Sequence, residues 1–272
     1  MFERFLADWE LFQHSYMSAF LLAAALPLSG ILVVGKKQEF MGANVAKGSI
    51  FTLALIYLIQ TSGQEVTGGW LSFLLMSFCG AVVVYISFLS GALPYFQAGL
   101  FLSFVALTTL ALSHSPQGSD VISQYSNSSL IGAMPLDSSL SLGLLILGVL
   151  VYFATRRALH SFILEPEVFE FYYPIHLYYL IWSFWIGATV ACALKIGGLL
   201  LSFGLLVLPV IIGMNLVSSL AKLPFLCSFL GLVTTLVGAV IAAGYDLPYG
   251  AMSIALLSGL SVAAILWGRL KG

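Results

Sequence analysis

Apolar runs separated by short polar breaks make up almost the whole chain. The runs lie at about 16–34, 38–61, 69–90, 95–113, 139–155, 175–194, 197–220, 224–244 and 250–268. Most reach the ~20 residues that a helix needs to cross a hydrocarbon core about 30 Å thick. The apolar positions show neither the alternation of a half-buried strand nor the narrow stripe of a soluble helix. In lipid a helix satisfies its own backbone hydrogen bonds, so this pattern predicts an all-α, polytopic membrane bundle of about eight or nine transmembrane helices, forming a single domain over 1–272. The seventh run contains Pro209 and Gly213 and is not expected to be one straight helix.

Composition agrees with the pattern. Of 272 residues, 60% are hydrophobic and 8% charged, against roughly 25% charged in a soluble domain. No soluble domain of ordinary size fits between the runs. Cys79, Cys192 and Cys227 fall inside apolar runs and read as small buried hydrophobes rather than disulfides or metal ligands. Residues 1–14 lack the basic start of a cleavable signal peptide. Phe2, Phe5, Leu6, Trp9 and Phe12 instead predict an amphipathic helix lying in the interface with membrane lipid.

The few charges matter by position. Lys36 and Lys37, Arg156 and Arg157, Lys222, and Arg269 and Lys271 follow the first, fifth, seventh and ninth runs. Nine alternating helices put all four clusters on one side, so the N-terminus is expected outside and the C-terminus in the cytoplasm. Residues 114–138 then form an external loop, in which Asn127-Ser128-Ser129 matches a glycosylation triplet. Residues 156–174 form a cytoplasmic connection. Within it, Glu165, Pro166, Glu167 and Glu170 carry the signals of a helix start, proline in the first turn with carboxylates around it. A short helix lying across the cytoplasmic face, suited to contact with a partner protein, is expected there.

Polar groups inside the runs are scarce. Asn44 and Lys47 share one helix face, and Lys47 sits ten residues past Lys37, about 15 Å along a helix. Lys47 either lines a polar path or snorkels to the cytoplasmic surface. Among the small and hydroxyl residues, Ser103 and Ser202 are candidates for lining a path, with close helix packing the alternative. His14, His114, His160 and His176 show no spacing of metal ligands. Gly30-Ile-Leu-Val-Val-Gly35-Lys36-Lys37 imitates a phosphate loop but lacks its final Ser or Thr and lies in an apolar run. No nucleophile–base set or pair of catalytic carboxylates is visible, and no basic tract suggests nucleic acid. A catalytic role has no positive support, and the chain is expected to hydrolyse no ATP itself.

Several segments, in order and at fitting separations, resemble the permeases of the ABC-3 family, the zinc, manganese and iron importers of bacteria. Ile196-Gly-Gly-Leu-Leu-Leu-Ser202-Phe-Gly-Leu-Leu-Val-Leu-Pro209 is similar to the family's VGALLVSALLVIPA, and Tyr245-Asp246-Leu247-Pro248-Tyr249-Gly250 to its YDLPxG. Pro27-Leu-Ser-Gly30-Ile-Leu-Val-Val-Gly-Lys36-Lys37 resembles PLGxFLVLRR, Phe40-Met41-Gly42 resembles LFGD, and Glu165-Pro166-Glu167 resembles the DPE that opens the coupling helix. The resemblance implies a multi-pass subunit of a bacterial inner (plasma) membrane importer. A second permease subunit, in a homo- or heterodimer, would enclose the path with it. A cytoplasmic ABC ATPase would use ATP and act on the coupling helix, and an external solute-binding protein would deliver the substrate. This chain itself would bind no cofactor.

The family's metal-binding Asp and His, four apart after the paired basic residues, align with Ala43 and Lys47, and a second His aligns near Phe104. None of the three offers a lone pair to a divalent ion, so no metal ligand is assigned. Three explanations stand: the non-binding half of a heterodimeric permease, a different substrate, or passage without an intramembrane ligand set. An ion-coupled secondary transporter is the alternative class, though such proteins usually place carboxylates inside the membrane.

Overall fold

A computed structural model describes residues 2–59, 70–91, 93–113, 133–217 and 219–271. Among these no strand occurs. The helices are α1 (Phe2–Gly35), α2 (Glu39–Ile59), α3 (Trp70–Leu89), α4 (Pro94–Ser113), α5 (Pro135–Leu164), α6 (Pro166–Tyr172), α7 (Ile175–Leu216), α8 (Leu223–Tyr245) and α9 (Tyr249–Lys271). All but α6 are long and apolar enough to cross a membrane. Residues 114–132, including His114 and the Asn127 triplet, lie outside the described residues.

At 42 residues, α7 would be about 63 Å long if straight, twice the ~30 Å of hydrocarbon. The contacts show that it doubles back. Its first half runs antiparallel to α5: Lys195 meets Asp137, Cys192 meets Ser141, and Trp182 donates to Thr155. The first half of α5 also pairs with the start of α1, where Ser18 meets Ser138, while its far end reaches Gly35 through Ile163. Lys195 therefore lies at the Ser18 end of α1. Yet Leu206 presses on Gly30, close to the opposite end. A straight helix would have carried Leu206 far beyond the Ser18 end. The reversal occurs at Gly198, whose φ of 74° and ψ of −178° suit glycine and strain any L side chain. The described chain thus makes nine passes. The reversal falls at the boundary expected between the sixth and seventh runs, whereas the break expected near Pro209 does not occur: the proline is carried within the returning half.

The ends follow from the same register. Tyr16 packs edge-on against Tyr249 at the Ser18 end, and Gly268 meets Asn215 at the Gly35 end. The last helix therefore finishes on the face where α6 lies, and residue 12, where the first span begins, is on the other.

Helix α1 is apolar all round because it is enclosed by α5, α7 and α8. At Gly30 an added Cβ would stand 1.8 Å from the Leu206 carbonyl oxygen, and at Gly187 it would stand 2.5 Å from the Ala81 nitrogen. These two residues let the halves of α7 lie directly on α1 and α3. Pro27 removes the N–H that would have bonded the residue-23 carbonyl. One position on, the Ala24 carbonyl accepts from Ser228 Oγ of α8 at 2.8 Å.

One segment departs from expectation, and another is given shape. The N-terminal stretch is helical and bends where the first span begins. At Phe12 the backbone leaves helical geometry, and Phe5 and Trp9 fold back onto Tyr16 at centroid separations of 5.4 and 5.9 Å. Phe5 gains a buried aromatic neighbourhood that a flat helix would not provide. Residues 156–164 continue α5 rather than forming loop, since nothing breaks the helix before Glu165-Pro166.

Gly198→Ala is expected to cost about 1–3 kcal/mol through its positive φ. Thermal unfolding in detergent checks this; an unchanged transition would contradict a turn at this residue.

Candidate translocation and coupling sites

Helix α4 has extensive contact only with α2, and two of the four polar path candidates, Asn44 and Lys47, lie on or beside that seam. Asn44 is fully buried, and its Nδ2 donates to the Gln97 backbone carbonyl at 3.0 Å and to Gln97 Oε1 at 2.5 Å. Two amides in spans 2 and 4 thus pin α4 to α2, a pairing missed from sequence although both were lone amides in apolar runs. Lys47, one turn further on, is half-buried, with no ion-pair or hydrogen-bond partner among the described residues. Phe104 of α4 lies beside it: a Cβ on Gly48 would stand 3.3 Å from its ring, and the Phe51 and Phe104 rings are 6.0 Å apart. Ala43 is also half-buried on α2. Of the positions expected to replace a metal site, Phe104 lies in this seam as a benzyl group, while Lys47 and Ala43 place an ammonium and a methyl group on α2. None offers a metal-binding lone pair.

The two serines go elsewhere. Ser103 is exposed on α4 and bonds the Gly99 carbonyl of its own helix at 2.8 Å. Ser202 is fully buried in the returning half of α7 and bonds the Leu199 carbonyl at 3.0 Å. Each satisfies its hydroxyl within its own helix.

At the Ser18 end, Lys195 Nζ donates to Asp137 Oδ1 at 2.7 Å, while Asp137 Oδ2 accepts from the Met134 N–H at 3.0 Å. One carboxylate caps α5 and fastens it to α7 just before the reversal. Matched opposite charges at the outer ends of two antiparallel spans were the available sequence signal. His14 approaches Ser138 Oγ at 3.4 Å, and His176 approaches Tyr85 OH at 3.1 Å. No group of three metal-ligating side chains occurs among the described residues.

The opposite end carries α6, the short helix expected from Glu165, Pro166, Glu167 and Glu170. It presents those four outward with Phe171 and Tyr172, and buries only Phe169. The Phe169 ring lies 5.1 Å from Phe162 of α5 and is stacked 5.7 Å from Trp182 of α7; Phe88 of α3 packs edge-on against Phe162. Three spanning helices thus meet α6 through one aromatic cluster. Lys36 Nζ stands 4.2 Å above the Phe162 ring, bringing in the end of α1. Burial lowers the Lys36 pKa below the ordinary lysine value, with Glu170 opposing the shift.

A doubled-back bundle with a salt bridge at one end and one short helix displayed at the other is the architecture of a multi-pass membrane protein. The model of the ABC 3 transport family matches residues 8–268, and the chain belongs to that family. Its fold is similar to that of a chain of PsaBC from Streptococcus pneumoniae in complex with Fab, with TM-score 0.80, 14% identity and complete coverage of both chains. It also resembles a metal-chelate type ABC transporter in an inward-facing conformation, with TM-score 0.71 and 18% identity over 93% of this chain and 86% of that one. No curated protein matches the sequence.

Asn44→Ala is expected to cost about 1–3 kcal/mol by leaving the Gln97 groups without their donor, and Asn44→Leu with Gln97→Leu to recover part of the loss. Thermal unfolding of both variants tests whether this pair holds α4.

Proposed function

We propose that the chain is the permease subunit of an ATP-driven importer in a bacterial inner membrane, with a divalent metal ion (zinc, manganese or iron) as the substrate class. The observation that carries this reading is α6. It is a helix of seven residues, anchored by one buried aromatic ring, with carboxylates and two aromatic residues turned outward. Such an element has no use in lipid and suits a cytoplasmic partner. Lys36, Lys37 and Lys222 flank spans at the same end, which supports placing that end in the cytoplasm and residue 12 outside.

In this reading a separate ABC ATPase binds and hydrolyses ATP and moves α6. Phe169 passes the displacement to Phe162 and Trp182, so α5 and α7 move together. Phe162 carries Lys36 and the end of α1 with it. Packed cores change by discrete rearrangement rather than by bending, so such a push favours alternating access to a path along the bundle. An external solute-binding protein delivers the substrate, and a second permease subunit completes the path. In this reading ATP is hydrolysed by the partner and not by this chain, which is supported by Gly30 to Gly35 forming the end of a buried helix pressed against α7 rather than a loop. The residues along the α2–α4 seam favour the role of the half that does not ligate the ion.

Glu165→Lys with Glu167→Lys is expected to reduce co-purification of the ATPase markedly, and replacement of 165–173 to abolish it. Phe169→Ala is expected to retain much of the ATPase while lowering transport-coupled hydrolysis. Undiminished ATPase binding after replacement of the whole segment would remove α6 from the coupling role.

A further inference from the structure

Helices α5 and α8 both pack on α1, yet they make no extensive contact with each other among the described residues. The gap between them is a groove of about 190 Å³. Ala24 and Leu28 of α1 form its floor, Val149 and Phe153 of α5 one wall, and Pro224 and Phe225 of α8 the other. The Ser228 hydroxyl, which also lines it, is committed to the Ala24 carbonyl and adds no free donor. Val149, Phe153 and Phe225 are exposed, so the groove opens to lipid. An apolar cavity of about 150 Å³ stays dry and accepts a hydrocarbon guest. Two cations stand just beyond the groove at its α6 end. Arg156 follows Phe153 by three residues and Val149 by seven, which continues the same face of α5. Lys222 caps α8 two residues ahead of Pro224. Both are exposed, and neither has an ion pair among the described residues. Arg156 lies nineteen residues beyond Asp137 on α5, about 28 Å of rise, close to the ~30 Å of hydrocarbon. With Asp137 and Lys195 at one boundary of the membrane, Arg156 is at the headgroup level of the other.

We infer that this groove binds one anionic phospholipid of the leaflet at the α6 end, with an acyl chain between α5 and α8 and the phosphate held by Arg156 and Lys222. An apolar groove that ends at two unpaired cations matches an anion carrying a hydrocarbon tail. A free phosphate leaves the groove unused, and a neutral lipid leaves the cations unpaired. The arginine guanidinium meets phosphate oxygens with paired N–H donors, and the lysine adds a point charge. Basic sites between spanning helices suit anionic headgroups. The ordinary placing of Lys and Arg at a membrane boundary accounts for their depth, but not for their convergence on one groove. Arg157, at the same depth, lies about 100° further round α5 and off this face. The inference does not depend on the importer reading, since it needs only that the chain spans a membrane. The bound lipid fills the gap between α5 and α8, and so steadies the helix whose end carries Phe162 and, through it, α6.

The full-length chain in detergent, with any ATPase it retains, is titrated with phosphatidylglycerol or phosphatidylcholine bearing the same acyl chains, and bound lipid is counted by native mass spectrometry. One phosphatidylglycerol is expected to be held at least about tenfold more tightly than phosphatidylcholine, equivalent to 1.4 kcal/mol. Arg156→Gln and Lys222→Gln are each expected to weaken phosphatidylglycerol binding about three- to tenfold, and Arg157→Gln to leave it unchanged. Val149→Trp fills the groove from its exposed wall and is expected to abolish binding of either lipid. The charge variants alter exposed side chains and keep the test independent of how the Trp variant folds. Glycerol phosphate, a headgroup without tails, is expected not to compete. Equal binding of the two lipids, equal losses in Arg156→Gln and Arg157→Gln, undiminished binding in Val149→Trp, or competition by glycerol phosphate overturns the inference. So does cross-linking of Phe225→Cys to another protein chain in intact membranes, because a protein then covers the groove.

Discussion

Close backbone approach holds this bundle together. Lipid tails are as apolar as the helices they surround, so hydrophobicity inserts the spans but does little to join them. Association has to come from contact, and contact is closest where no side chain intervenes. The returning half of α7 lies on α1 at Gly30, and its first half lies on α3 at Gly187. Both contacts depend on the reversal at Gly198, which turns one long apolar segment into two adjacent passes. With α1 and α7 enclosed, the other helices take their places around them: α5 and α8 beside α1, α3 along α7, and α4 left at the margin on α2.

The polar groups fill the places this packing leaves. Trp182 donates to Thr155 across the α5–α7 contact, Asp137 and Lys195 join the same helices at one end, and Asn44 and Gln97 tie down the marginal helix. Each pair removes a desolvation cost that either member would incur alone. Lys47 stands outside this scheme, on the surface that the bundle does not cover. At the other end, the aromatic cluster around Phe169 gives α6 a rigid hold on α3, α5 and α7, while its outer face contributes nothing to the fold. The two unsatisfied surfaces, one intramembrane and one at the membrane boundary, are where function is sought.

Much of this was legible in the sequence. The apolar runs gave the spans to within a few residues, and the placing of Lys and Arg agreed with an odd number of passes. Glu165-Pro166-Glu167 located α6, because proline ends one helix and can begin the next. Ala43, Lys47 and Phe104 stood out against the family pattern. Other features were not legible. The boundary between the runs ending at 194 and beginning at 197 was legible, but only its dihedral angles single out Gly198 as the residue that reverses the chain. Asn44 looked like a companion of Lys47 on a path, yet its amide is committed to Gln97, more than fifty residues away. Phe5 and Trp9 were read as apolar members of an amphipathic helix, but their packing onto Tyr16 across the bend at Phe12 was not legible.

The sequence by itself determined that this is a membrane-spanning helical protein of the ABC-3 kind. Hydropathy, helix breaks and charge at the ends of spans are local properties, and lipid reads them locally. Tertiary structure alone decided which amides and charges meet and which face remains bare. Those outcomes depend on contacts between residues far apart in the chain, whose depth and facing are fixed only when the helices pack.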